Sequence, residues 1–185
     1  MPHLNARAAA FVIVAVMLAL GSGCAPPPPT PPPAAAVQPE PPKPIVADEV
    51  VVLKDKRVLE LLSKGKVFET FPIALSAHAV GTKQRLGDGR TPEGLYRIDG
   101  RTTKTRWSRE LHISYPDAHD RARAAAEHVD PGGGIYIHGM PRDYGPYDPP
   151  QWYKDWTEGC VAVGNAAIVK IWDTVPDGTP IDIRP

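Results

Sequence analysis

The chain has 185 residues, of which 23 are proline, with Lys+Arg and Asp+Glu equal at 21 each and 42% hydrophobic residues. Neutral charge, no basic stripe and no internal repeat argue against nucleic-acid binding and against a repeat architecture. The prolines divide the chain into an N-terminal segment unable to build a core and a remainder long enough for one.

Arg7 and the free amino group form a short positive region, and Ala8 to Leu20 is an unbroken apolar run of thirteen residues. A membrane-spanning helix needs about 20 such residues, so the run suits the apolar region of a secretory signal. Leu20-Gly21-Ser22-Gly23-Cys24 resembles a bacterial lipoprotein signal, in which the cysteine is lipidated and becomes the new N-terminus. It departs from the usual pattern at Gly21, where leucine commonly stands. The expectation is a signal peptide over residues 1–24 and a lipid anchor to membrane at Cys24. The remainder of the chain would face the periplasm, and Ala25, in place of an aspartate, favours the outer membrane.

Residues 26 to 44 hold eleven of the prolines. A linker is therefore expected over residues 25–45, extended at roughly 3 Å per residue and reaching about 50–60 Å from the anchor. Residues 46–185 then form one domain of net charge about −1, once Arg7, Lys43 and Glu40 are set aside. A monomer is expected.

The domain reads as mainly β, a sandwich or barrel-like fold with two short helices. Strands are predicted at Val50–Leu53, Arg57–Leu62, Val67–Leu75, Gly94–Ile98, Leu111–Tyr115, Gly134–His138, Gly159–Val163 and Pro180–Ile183. Asp117–Val129 and a segment from Asn165 to about Val175 read as helices, the second capped by Asn165. Low helix content argues against a parallel α/β sheet.

Cys160 is the one cysteine of this domain, and Thr157-Glu158-Gly159-Cys160 follows His138-Gly139 closely in sequence. A thiol of ordinary pKa near 8.5 needs a base to become a nucleophile at neutral pH, and a neighbouring histidine is the usual one. Gly159 lets backbone N–H groups approach a carbonyl oxygen, as an oxyanion hole requires. The pattern predicts acyl transfer through a thioester. Cys24 and Cys160 are not expected to pair. His78, His112, His119 and His128 match no zinc motif, and no metal or cofactor is expected.

Four blocks in order carry a resemblance to the L,D-transpeptidase catalytic domain, or YkuD, family. They are Gly87-Asp88-Gly89-Arg90-Thr91-Pro92-Glu93-Gly94-Leu95-Tyr96-Arg97-Ile98, then Gly134-Ile135-Tyr136-Ile137-His138-Gly139, then Thr157–Cys160, then Asn165. The family commonly has histidine where this chain has Glu158, and arginine where it has Ala162. Trp156–Val163, Leu111–Pro116 and Asp120 are more similar to a YafK-like murein endopeptidase/transpeptidase subgroup. The resemblance implies roles in peptidoglycan biosynthesis, cell-wall biogenesis and cell shape. It implies Cys160 as nucleophile and His138 as proton acceptor and donor on a peptidoglycan stem peptide. It also implies an acceptor that is an amine, water or an envelope lipoprotein.

Gly159, Gly139 and Thr157 are the oxyanion and orienting candidates; the Gly139 carbonyl would fix the imidazole. Tyr136, Arg142 and Trp156 are the substrate-binding candidates, with Lys154 beside them. The Met140–Trp156 segment carries Tyr144, Tyr147, Trp152 and Tyr153 among Pro141, Pro146, Pro149 and Pro150, and reads as a binding wall or an aromatic mini-core. Three activities remain open: L,D-transpeptidase, L,D-endopeptidase or carboxypeptidase, and a non-catalytic peptidoglycan-binding lipoprotein. A thiolate titrating well below pH 8 and sensitive to His138→Ala would mark an enzyme.

Overall fold

Apolar residues alternate along most strands of this chain, and the alternation closes them into a barrel. The computed structural model describes residues 45–145, 148 and 154–185. The expected signal peptide, Cys24, the proline-rich linker, Tyr147, Trp152, Tyr153, Pro146, Pro149 and Pro150 lie outside the described residues. Among the described residues no helix is long and apolar enough to cross a membrane.

The strands are β1 (Glu49–Leu53), β2 (Val58–Ser63), β3 (Lys66–Ala74), β4 (Gly94–Thr102), β5 (Glu110–Ile113), β6 (Tyr136–His138), β7 (Val161–Val163) and β8 (Pro180–Arg184). They close in the order β1-β2-β3-β7-β6-β5-β4-β8. Closure removes free sheet edges, which would otherwise expose unpaired backbone groups. Most neighbours are antiparallel, but β1·β8 and β6·β7 run parallel. The β6·β7 pair matters most, because it aligns the two sequence blocks that carry His138 and Cys160.

The core is built by period-two alternation. Val50 and Val52 of β1, Leu59 and Leu61 of β2, Ile137 of β6, Val161 and Val163 of β7, and Ile181 and Ile183 of β8 are all buried. Each such aliphatic side chain contributes about 1.5–3 kcal/mol when fully removed from water.

The first helix, α1 (Ala118–Ala126), is shorter than the predicted Asp117–Val129. Asp117 caps it, and Asp120 returns the bond to the Asp117 N–H. The helix stops where His128 takes a left-handed backbone angle of 55°. The second, α2 (Asn165–Thr174), sends Ile168 and Ile171 into the core. Its cap differs from expectation. Gly164, not Asn165, holds the cap position, and the Asp148 carboxylate accepts the Asn165 N–H at 2.7 Å. The Asn165 side chain is already committed elsewhere, accepting from the Met140 N–H at 3.0 Å and donating to the Gly145 carbonyl at 2.7 Å.

Candidate active site

On β6, Ile137 points into the core, so Tyr136 and His138 point to the opposite face. Strand register then sets their neighbours. His138 lies between Ala162 of β7 and Glu110 of β5, while Tyr136 faces His112 of β5. Continuing the parallel β6·β7 register by one residue puts Cys160 beside Tyr136 and diagonal to His138. The thiol and imidazole therefore occupy one face of the sheet, at the ends of two directly paired strands.

His138 is buried and held by three contacts. Its Nδ1 meets the Gly139 carbonyl at 2.8 Å, as the sequence predicted. A carbonyl only accepts, so Nδ1 carries the proton and Nε2 presents a lone pair. The Trp107 ring lies 4.5 Å from the imidazole centroid, and the Trp156 ring meets it edge-on at 5.7 Å. Burial pushes the His138 pKa down to about 4, against a smaller upward pull from the Gly139 carbonyl. At neutral pH the imidazole is an uncharged base.

The Thr157–Cys160 turn is anchored at both ends. At its start, the Trp156 and Thr157 N–H groups both donate to the Leu75 carbonyl, at 2.7 and 2.8 Å. The Asp155 carboxylate accepts from the Leu75 N–H at 3.0 Å and from the Arg57 guanidinium at 2.6 Å. At its end, the Thr157 hydroxyl donates to the Cys160 carbonyl at 2.8 Å. Gly159 adopts φ +123°, and a Cβ there would stand 2.7 Å from the Arg90 carbonyl oxygen. Glycine is thus required on two counts, backbone angle and close approach. Gly139 is required by packing alone, since a Cβ would stand 2.7 Å from Ile168 Cγ2.

The Arg90 contact gives the Gly87–Ile98 block its place: it buttresses the turn that carries Cys160. Asp88 shapes that block by accepting from the Lys83 ammonium at 2.8 Å and from the N–H groups of Gln84, Arg85 and Arg90. Burial pushes the Asp88 carboxyl up, but these donors outweigh it and hold it at about 2.

Cys160 is free and half-buried, and opens on a cleft of about 610 Å³ whose walls include Ser76, His78, Lys83, Gly134 and Trp156. Its thiol donates to the Gly134 carbonyl at 3.6 Å. Among the described residues no hydrogen bond joins it to His138. Burial pushes the Cys160 pKa above its ordinary value; the Tyr136 backbone N–H opposes this, and the charges of Glu110 and Glu158 add to it against Lys83. A thiolate titrating well below pH 8, the mark of an enzyme named above, is therefore not what this environment favours at rest. The resting pair is a neutral thiol and a neutral imidazole.

The remaining candidates divide. Trp156 lines the cleft and packs on His138. Tyr136 flanks the thiol and meets His112 edge-on at 4.8 Å. Arg142 is turned elsewhere: its guanidinium donates to the Thr103 carbonyl and its N–H to the Arg106 carbonyl, which ties its 3-10 turn to the β4–β5 connection. Lys154 and Glu158 are exposed. Glu158 acts on the thiol rather than on His138. Trp107, Glu110 and Asp155 were not singled out from sequence. Glu110 falls one residue before the predicted Leu111–Tyr115 strand, and nothing local indicated that it would be buried.

Comparison with known proteins agrees with this architecture. The model of the L,D-transpeptidase catalytic domain, YkuD, matches residues 47–183. The YafK protein of Escherichia coli strain K12 is 30% identical over 96 residues, which cover 49% of this chain and 37% of that protein. The chain thus spans well under half the length of that curated relative. Among solved structures, the helical cell shape determining protein Pgp2 of Campylobacter jejuni aligns with TM-score 0.56 and 22% identity, over 74% of this chain and 46% of that one. Bd1075 of Bdellovibrio bacteriovorus aligns with TM-score 0.50 and 23% identity, over 73% and 46%. At these identities the structural matches speak to the fold. With the family model spanning the whole barrel, the chain belongs to the L,D-transpeptidase catalytic domain family.

Proposed function

We propose that this chain is a cysteine-dependent L,D-transpeptidase acting on peptidoglycan stem peptides. The observation that carries the reading is the β6·β7 register, which sets Cys160 diagonal to an imidazole whose Nδ1–H is fixed on the Gly139 carbonyl. That leaves the Nε2 lone pair for proton transfer.

In the acylation step, His138 Nε2 takes the thiol proton as the sulfur attacks the stem carbonyl, and a C–S bond forms. Backbone N–H groups of the Gly159–Cys160 turn hold the developing oxyanion; one such donor is typically worth about 3 kcal/mol. The scissile C–N bond then breaks, and His138 returns the proton to the leaving amine. In the second step an amine attacks the thioester, a new C–N bond forms, the C–S bond breaks, and the amine proton passes through His138 back to sulfur. Because the resting pair is neutral, proton transfer and sulfur attack are coupled rather than separated by a stored thiolate.

Residues 1–24 and the proline-rich spacer support a setting in the cell envelope, lipid-anchored at Cys24 and facing the periplasm, within reach of the wall. The Campylobacter jejuni neighbour is named for determining helical cell shape; a role in cell shape is proposed here on the same grounds of wall processing.

Incubating the full chain with defined tetrapeptide muropeptides and following products by mass spectrometry tests the reading. Cross-linked dimers that vanish with Cys160→Ala are expected. Shortened or released stems instead would establish a hydrolase of the same family. No change in any muropeptide would leave a binding lipoprotein and overturn the enzyme.

A further inference from the structure

One arginine of the barrel is unlike most of the others. Arg57, Arg101, Arg123 and Arg184 each hold a carboxylate, from Asp155, Asp177, Glu127 and Asp182 in turn. Arg109 holds none. Among the described residues its guanidinium makes neither an ion pair nor a hydrogen bond, and its Nε is buried without a partner. A buried N–H that has given up water and gained no acceptor is unfavourable, and such groups are few in folded chains.

Strand register explains the burial. Leu111 faces Ile137 and both enter the core, while Glu110 faces His138. One residue further along this antiparallel pair, Arg109 falls opposite Gly139, on the inward side with Leu111. Gly139 is where the sheet meets α2, since a Cβ there would touch Ile168 and Asn165. Arg109 therefore reaches the start of α2, on the side of β6 away from His138. There it lines a cavity of about 320 Å³ with Ser108, Gly145, Asn165, Ala166 and Val169. Ala166 and Val169 are exposed, so the cavity is open to solvent.

The walls define what fits. Arg109 is the one charged residue among the described residues that line the cavity. Asp148, the carboxylate at the start of α2, accepts the Asn165 N–H and lines a separate cavity with Glu69 and Lys170. Lys104 and Arg106, on the same β4–β5 connection as Arg109, have no ion pair among the described residues; the Arg106 guanidinium stands 4.7 Å over the Trp107 ring instead. The local charge is thus positive, and Ala166 and Val169 supply an apolar wall beside it. We infer that this cavity binds a carboxylate carried on a short alkyl chain, with the Arg109 guanidinium on the carboxylate, Ser108 as a second donor, and the alkyl part against Ala166 and Val169. A guanidinium fork takes both carboxylate oxygens at once, and the pairing satisfies the orphaned N–H. One cation matches one negative charge; a phosphate dianion would bring a second charge without a partner. The site is separate from the Cys160 cleft and does not depend on the transfer reaction.

Amide NMR spectra of the full chain, titrated with sodium butyrate at constant ionic strength, test the assignment. Saturable shifts are expected at Ser108, Arg109, Ala166 and Val169, and the neutral isostere butyramide should produce none. Arg109→Gln should weaken butyrate binding about tenfold or more, and Arg109→Lys should fall between, because it keeps the charge and loses the fork. A thermal melt of Arg109→Gln no lower than that of the unaltered chain excludes misfolding as the cause. Val169→Asp provides the same test from an exposed wall position, since a like charge there should also weaken butyrate. Shifts confined to the residues around Cys160, equal responses to butyrate and butyramide, or butyrate binding untouched by both Arg109→Gln and Val169→Asp would overturn the proposal. Inorganic phosphate shifting the same amides at lower concentration than butyrate would overturn the carboxylate as the ligand.

Discussion

At the residue scale, the decisive point is that both groups of the proposed catalytic pair are neutral at rest. Cys160 is pushed up by burial, and His138 is held at about 4 by burial between Trp107 and Trp156. Iodoacetamide alkylation of Cys160, measured on the full chain with Cys24→Ser, should be slow at pH 7 and climb through the alkaline range above the ordinary thiol midpoint of about 8.5. A rate plateau already reached below pH 8 would contradict the burial argument and restore a stored thiolate. The sequence identified both residues by type and spacing. It could not report their pKa values, because the desolvation comes from Trp107, thirty-one positions before His138, and from a cleft assembled by several loops.

At the element scale, the site is held by a few bonds that link distant segments. Asn165, the first residue of α2, fixes the chain after His138 through the Met140 N–H and the Gly145 carbonyl. Asn165→Ala would leave the buried Met140 N–H without its acceptor. A cost of about 1–3 kcal/mol is expected, read from urea denaturation midpoints, with Asn165→Asp retaining part of it because the acceptor to Met140 remains. A midpoint unchanged by Asn165→Ala would show that the segment is held by other contacts. Sequence pattern located α2 to within a residue, since Ile168 and Ile171 mark its buried face. The cap was misassigned because asparagine is a good cap in general, and only the fold shows that its amide is needed by Met140 and Gly145 while Asp148 supplies the helix end.

For the whole molecule, stability depends on keeping His138 neutral. Unfolded, it takes a proton at its ordinary value of 6.5; folded, it resists until about 4. Between those values the unfolded chain binds more protons, so stability is fully present above about pH 6.5 and is lost as pH falls toward 4. The loss is on the order of 3 kcal/mol. Comparing denaturation midpoints at pH 7 and pH 4.5 should show a clearly shallower decline for His138→Gln than for the wild type. Parallel declines would assign the acid sensitivity to carboxylates instead. The barrel itself was legible as a mainly β fold, because alternating Val, Ile and Leu residues fix each strand's inner face. Its closure was not, since sheet order depends on which strands meet.

Sequence by itself determined the family, the strand-rich class, the candidacy of Cys160 and His138, the need for glycine at position 159 and the Gly139 contact of the imidazole. These follow from residue types at short spacing, where local chemistry leaves few choices. Only the tertiary structure decided that Arg90 backs Gly159, that Arg142 is spent on Thr103, that the thiol and imidazole rest uncharged, and that Glu110 stands beside His138. Each of those depends on strand register and burial across long separations in sequence, and it is there that the charge of a site is set.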